Sequence, residues 1–535
     1  MPNYSTISAE SSGSASAGDM GRQKRARGRQ KEGGGGQATM VSSVINLLNT
    51  IIGAGTLAMP SAMSHFGMLL GVIVIVWSGF TSAFGLYLQS RCARYLDRGS
   101  SSFFALSQMT YPNAAVIFDA AIAIKCFGVA VSYMIIIGDL MPGVVEGFDT
   151  RAADIPFLMD RNFWITVFML VIIPLSFLRR LDSLKYTSIV ALVAIGYLIV
   201  LVVYHFASDT LAPRDKVRFI AWGGPVEALA SLPVVIFAYT CHQNMFSILN
   251  EISNNSPGSV MGVISASIGS AAGVYVLVAI TGYMTFGNDV IGNIVSMYPA
   301  SIASTIAKAA IVILVTFSIP LQVHPCRASV DAVLKWRPNA ISRSQVRPNS
   351  PGGRPLLSTP FQSRSDHGST ASISDLRFAV LTTIILILGY AVALTVVSLE
   401  RVLAYVGSTG STSISFILPG LFYYKISDPN SIHHQRLTKE DDDALSISES
   451  DAEDENGDEG LLGRSVESVH SAASGASAKS KNTKFPWRWR RKWRWDMEHL
   501  NPEFLRGASL ALAIYGLCVM GVCLAMNLVG TVTAH

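Results

Sequence analysis

The feature that decides what this chain can become is a series of long apolar runs. A hydrocarbon layer ~30 Å thick takes about 20 helical residues to cross. Runs of roughly that length occupy residues 41–63, 66–90, 114–145, 162–178, 185–206, 226–248, 259–285, 302–326, 377–398, 401–424 and 506–528. In lipid a segment must satisfy its own backbone hydrogen bonds, so runs like these read as helices. The expected fold class is an all-α membrane protein with eleven transmembrane helices. Composition agrees. The 535 residues are 50% hydrophobic and only 14% charged, against about 25% charged in soluble proteins. This excludes a disordered chain, a disulfide scaffold and an ordinary soluble enzyme. Cys126, Cys241, Cys518 and Cys523 lie inside apolar runs, and Cys92 and Cys326 at their ends, so no structural disulfide is expected.

The polar segments divide the chain further. Residues 1–38 form a Ser- and Gly-rich tail with a basic cluster, Arg22 to Lys31. This composition predicts a disordered cytosolic tail. Residues 39–327 carry the first eight helices, and 328–375 a Ser/Pro/Arg-rich loop. Helices nine and ten occupy 376–425, a long loop fills 426–505, and the last helix spans 506–535. That long loop contains an acidic tract from Glu440 to Glu459, in which Ser446, Ser448 and Ser450 could meet regulatory kinases or simply sit in a solvated spacer. It ends in a Trp/Arg segment, Trp487 to Trp495, suited to the lipid headgroup region rather than to nucleic acid. With the N-terminal tail in the cytosol, 33 of the 41 Lys and Arg residues fall on the cytosolic side and six on the other. Positive charge is retained on the cytosolic side. Eleven spans then leave His535 on the luminal side.

Two runs are broken. The first reads Asn46 to Pro60 and places Gly53, Gly55 and Pro60 within eight residues, flanked by Asn49, Thr50 and Thr56. Gly and Pro are costly inside a helix. Residues Gly53 to Ala58 also fit G-x-G-x-x-A, but no strand precedes them, so a nucleotide loop is rejected. Close helix packing explains such glycines equally well. The sixth run turns polar after Pro233, at Tyr239-Thr240-Cys241-His242-Gln243-Asn244. The two breaks correspond if spans 1–5 and 6–10 form two five-helix repeats, and paired broken helices point to a transporter site. Unwinding frees amides at a half-helix N-terminus to hold a carboxylate, and carbonyls to hold a cation or an amine.

These motifs carry a resemblance. The first span resembles the N-x-x-x-G-x-G-x-L opening of the amino acid/auxin permease family. Phe237 to Gln243 resembles the F-A-[FY]-x-C-H pattern of its sodium-coupled neutral amino acid transporters and their fungal vacuolar relatives. Thr316 to Pro320, continuing to Arg327, resembles the eighth span of that group. Gly407 to Gly410 and Phe416 to Tyr423 resemble the tenth. The resemblance implies the inverted five-plus-five repeat of the bacterial leucine transporter, with one extra C-terminal helix, and secondary active transport of amino acids. It implies that Gly53, Ala54, Gly55 and Thr56 line the substrate's backbone end, and that Tyr239, Cys241 and His242 face it. Asn49 and Thr316 match sodium-coordinating positions, though their oxygens could equally bond between helices.

The ionisable residues inside the runs are Asp119, Lys125, Asp139, His242, Lys308 and His324. Charges at membrane depth are functional candidates. Asp119 and Lys308, near span ends, are expected to snorkel. Lys125 and Asp139 stand about four turns apart and cannot pair. His242 suits proton coupling or a structural hydrogen bond. The combined expectation is a proton-coupled, alternatively sodium-coupled, amino acid transporter working by alternating access, with no cofactor and no enzymatic site. A vacuolar membrane fits the resemblance, and the sequons at Asn3 and Asn254 both fall on the cytosolic side. Transport would then run from lumen to cytosol. A transporter-like amino acid sensor signalling through the long loops is the second reading.

Overall fold

The computed structural model describes residues 36–96, 99–178, 187–208, 217–335, 374–437 and 502–533, apart from 37, 150 and 152–153. The acidic tract, the Trp/Arg segment and the basic cluster of the N-terminal tail lie outside the described residues. Among those described, seven helices are long and apolar enough to cross a membrane, and a pair bent by 55° makes an eighth.

The bent pair is α1 (Met40–Ile51) and α2 (Ala54–Phe66). Thr39 caps α1 by accepting from the Ser42 amide. A turn at Gly67, with φ +75°, separates α2 from α3 (Met68–Ala93). The gap between the first two apolar runs falls at residues 64–65, but the turn needs a positive φ, and Gly67 supplies it without a Cβ penalty. Next come α4 (Ala115–Phe148), α5 (Arg161–Ser176) and α6 (Thr187–Ala207). A second interrupted pair follows, α7 (Pro225–Ala238) and α8 (His242–Glu251). Then come α9 (Pro257–Phe286), α10 (Ile302–Lys335) and α11 (Asp375–Thr395).

The run from Leu399 to Ile426 is a composite. α12 (Leu399–Val406) leads into π-helical turns, Gly407–Ser411 and Ser413–Ile417, and then into α13 (Leu418–Ile426). Hydroxyls in the widened stretch bond back along the chain, Thr409 to the Tyr405 carbonyl and Thr412 to that of Gly407, both at 2.7 Å. A Cβ at Gly407 would collide with the Pro233 carbonyl of α7, and one at Gly410 would come 2.9 Å from the Ala121 carbonyl of α4. These glycines let the widened turns lie against both helices. α14 (Pro502–Thr533) closes the bundle against α13.

Two further details differ from the sequence reading. First, α10 continues to Lys335 instead of ending before residue 328. Asp331 is buried there and salt-bridged to Lys335 and to Arg377 of α11, both at 2.6 Å. Arg327 bonds Thr382 at 2.9 Å and stacks 3.8 Å over the Phe378 ring. This polar cluster ties α10 to α11 and extends the helix past the apolar run. Second, Lys308 does not snorkel. It is 4% exposed and donates to the Tyr298 carbonyl at 2.9 Å. Asp139 is paired with Arg161 at 3.2 Å, and Arg161 also reaches the Ala393 and Val396 carbonyls.

One end of the bundle is tied by a polar knot across three helices. The Glu400 carboxylate of α12 accepts from Ser61 of α2 at 2.8 Å and from Ser231 of α7 at 3.1 Å, and lies 3.3 Å from His65 Nδ1. Replacing Glu400 by Ala removes all three partnerships at once. The expected loss is about 2–3 kcal/mol, read as a lower melting temperature of the purified protein.

Candidate functional site

The two interruptions meet at the centre of the bundle. α1 ends at Ile51, and Ile52 and Gly53 are extended or irregular before α2 begins. α7 ends at Ala238, and Tyr239, Thr240 and Cys241 lead into α8. Each interruption leaves carbonyls at one half-helix end and amides at the next. A single side chain serves both. The Tyr275 hydroxyl of α9 lies 2.7 Å from the Ile51 carbonyl and 2.8 Å from that of Ala238. It is fully buried and donates its proton between the two. The side chains Thr50 and Asn244 join the pairs again, with Asn244 Nδ2 donating to Thr50 Oγ1 at 2.8 Å.

The glycines of the first break have different roles. A Cβ on Gly55 would stand 2.5 Å from the Ala238 Cβ and 2.8 Å from its Cα, so Gly55 permits the backbones of α2 and α7 to touch. A Cβ on Gly53 would meet only the Tyr133 hydroxyl, at 3.6 Å, which is ordinary contact.

A cavity of about 370 Å³ begins at the breaks and extends toward the end of the bundle where α1 starts. Its wall includes Asn46, Asn49 and Thr50 of α1, Gly53 to Gly55, Lys125 of α4, and Gln243 of α8. A smaller recess of about 50 Å³ adjoins it and shares Asn49, Gly53, Ala54, Tyr133 and Ser318. The opposite end is the one tied by Glu400. Ala54 and Gly55 open α2 at the cavity wall, where the first amides of a helix have no partner within it, and the Asn49 Oδ1 is buried without a partner.

The sequence-derived residues divide. Gly53, Ala54, Gly55 and Asn49 line the cavity, while Thr56 is buried just behind it. Thr316 is off the wall, and its hydroxyl donates to the Val312 carbonyl of its own helix at 2.6 Å. Tyr239, Cys241 and His242 are buried and also off the wall. Tyr239 packs edge-to-face on Tyr275, with centroids 5.1 Å apart. The His242 ring nitrogen Nε2 lies 3.1 Å from the Ser82 carbonyl of α3, and its own carbonyl accepts from Gln89. From this stretch of chain the cavity instead receives Phe237, Ala238, Thr240, Gln243 and Asn244. Sequence reasoning missed Tyr275. Its only signal was a phenol in the middle of an apolar helix, which is ordinary by itself.

Tyr275→Phe should leave the two carbonyls without a donor in a dry interior, at an expected loss of about 1–3 kcal/mol. Gly55→Ala should lower the melting temperature markedly and Gly53→Ala hardly at all. Thermal unfolding of the purified variants, followed side by side, tests all three expectations.

Comparison with known proteins identifies the family. The family model described as transmembrane amino acid transporter protein matches residues 36–444. Vacuolar amino acid transporter 5 of Schizosaccharomyces pombe is 45% identical over 402 residues, covering 74% of this chain and 87% of that one. Vacuolar amino acid transporter 6 of Saccharomyces cerevisiae is 42% identical, covering 73% and 90%. A solved nucleobase-cation-symport-1 family transporter superposes with a TM-score of 0.44 at 11% identity, over 72% of this chain and 78% of that one. The chain is therefore a member of the transmembrane amino acid transporter family, a family of carriers and not of enzymes.

Proposed function

We propose that this chain moves amino acids across a vacuolar membrane by alternating access. The observation that carries the reading is the cavity built at two meeting helix breaks, with free amides on one side and an unpartnered amide oxygen on the other. The curated relatives, named as vacuolar amino acid transporters, support the substrate class and the compartment.

The finer architecture belongs to the same proposal. Taking α5, α6 and the composite run Leu399–Ile426 as spans beside those long enough by themselves gives eleven, arranged as two five-helix repeats and a last helix. The positive charge sorting favours a cytosolic N-terminus and a luminal C-terminus. In that orientation the cavity faces the cytosol, and the knot at Glu400 closes the luminal side. Transport from lumen to cytosol driven by protons is the corresponding direction in an acidic vacuole.

Purified protein in sealed vesicles, with labelled amino acids under imposed pH or sodium gradients, tests the reading. A pH gradient should drive accumulation, and a sodium gradient should not. If neither gradient drives accumulation of any amino acid, the proposal fails.

A further inference from the structure

Lys125 has no role in the account so far. It sits in the interior of α4, 5% exposed, and lines the cavity. Among the described residues no hydrogen bond or ion pair reaches its ammonium. No Asp or Glu lines the cavity either. Its polar wall consists of neutral amides and hydroxyls, with Lys125 and His324 the only ionisable nitrogen-bearing side chains. The backbone at Lys125 is held close to the widened turns of the composite run, because a Cβ on Gly410 would come 2.9 Å from the Lys125 amide nitrogen. An ammonium fixed in a dry interior without an anion is costly. Elsewhere in the bundle Arg161 is paired with Asp139, and Lys308 donates to the Tyr298 carbonyl. The missing partner of Lys125 is therefore best supplied by what enters the cavity.

We propose that Lys125 is a specificity-determining residue that pairs with a side-chain carboxylate of the substrate, so that the cavity favours acidic amino acids over basic ones. The inference rests on the transport reading of the same cavity and names its substrate class. The α-carboxylate of any amino acid has a place at the free amides of Ala54 and Gly55. The helix C-termini at the breaks add little negative potential, because Tyr275 already donates to the Ile51 and Ala238 carbonyls. A glutamate or aspartate side chain brings the second negative charge that Lys125 lacks. Glutamine has the same shape without the charge. A lysine or arginine side chain would place a second cation beside the first, in a low dielectric where like charges repel strongly.

The test uses the full chain in vesicles, with labelled glutamate, glutamine and lysine under one imposed gradient. In the wild type, glutamate should have a kcat/KM at least about tenfold above that of lysine. Lys125→Gln should reduce the glutamate-to-glutamine ratio of kcat/KM at least about tenfold, chiefly through the KM of glutamate, and Lys125→Arg should retain most of it. If Lys125→Gln carries both substrates with an unchanged ratio, the proposal is overturned while the transport reading stands. Lysine carried as well as glutamate by the wild type overturns it likewise. Vesicles that accumulate no amino acid at all overturn both readings together. Should Lys125→Gln fail to fold, competition decides with wild-type protein. Unlabelled glutamate should then inhibit glutamine uptake about tenfold more strongly than lysine does, and equal inhibition overturns the proposal.

Discussion

The constraint on which the rest depends is the satisfaction of backbone polar groups where two helices stop inside an apolar bundle. Each unpaired group there would cost several kcal/mol in hydrocarbon. The Tyr275 hydroxyl answers for one carbonyl from each break, with Ile51 on one side and Ala238 on the other. This single phenol couples the two interruptions. Movement of α1 or α7 away from α9 would strip the proton from one carbonyl or both. The breaks are thus held as a pair, with Ala54 and Gly55 of the first lying on the cavity wall.

The same pairing explains which small residues matter. Gly55 and Gly407 stand where a Cβ would strike the backbone of α7, at Ala238 and Pro233 respectively. α7 is therefore gripped by glycine contacts from α2 and from the composite run, near its break and a turn before it. Gly85 of α3 is a third such point, since a Cβ there would overlap the Ser415 carbonyl and approach His242 Nε2 at 2.8 Å. His242 is thereby sealed between α3 and the composite run, which is why it braces the second break from behind instead of facing the cavity.

Much of this was legible in the sequence, for physical reasons that also mark its limits. Apolar run length located the helices, because a bilayer sets their minimum length. Gly53, Gly55 and the polar stretch after Pro233 located both breaks, because helix-breaking and polar residues are rare in such runs without a use. Direction of side chains was not legible. Once a helix unwinds over Tyr239, Thr240 and Cys241, the 3.6-residue period that assigns faces no longer applies. The sequence pattern therefore could not tell that Thr240 and Gln243 face the cavity while Tyr239 and His242 face α9 and α3. The end of α10 was hidden for a different reason. Asp331 and Arg327 look like loop residues until Arg377 and Thr382, some fifty residues on, are seen to satisfy them.

The two ends of the bundle are built from different interactions, and this difference has mechanical consequences. At one end α2, α7 and α12 are joined by Glu400 with two serines and a histidine, all directional bonds among short side chains. At the other, Asn244 of α8 donates to Thr50 of α1, and Ala38, just before α1, exchanges backbone bonds with Glu251 and Ser253 at the end of α8, at 2.9 and 3.0 Å. Both interrupted pairs therefore have one half joined through a shared carboxylate, α2 with α7, and one joined through neutral bonds, α1 with α8. The unwound residues between the halves carry few backbone bonds to resist a change of angle. Swinging α1 away from α8 would break the Thr50 bond and the backbone pairing at Ala38, whereas parting α2 from α7 would require the Glu400 knot to be undone. The two ends thus differ in the kind of bond that a change of angle at the breaks would have to break, a carboxylate shared among side chains at one and neutral, largely backbone bonds at the other.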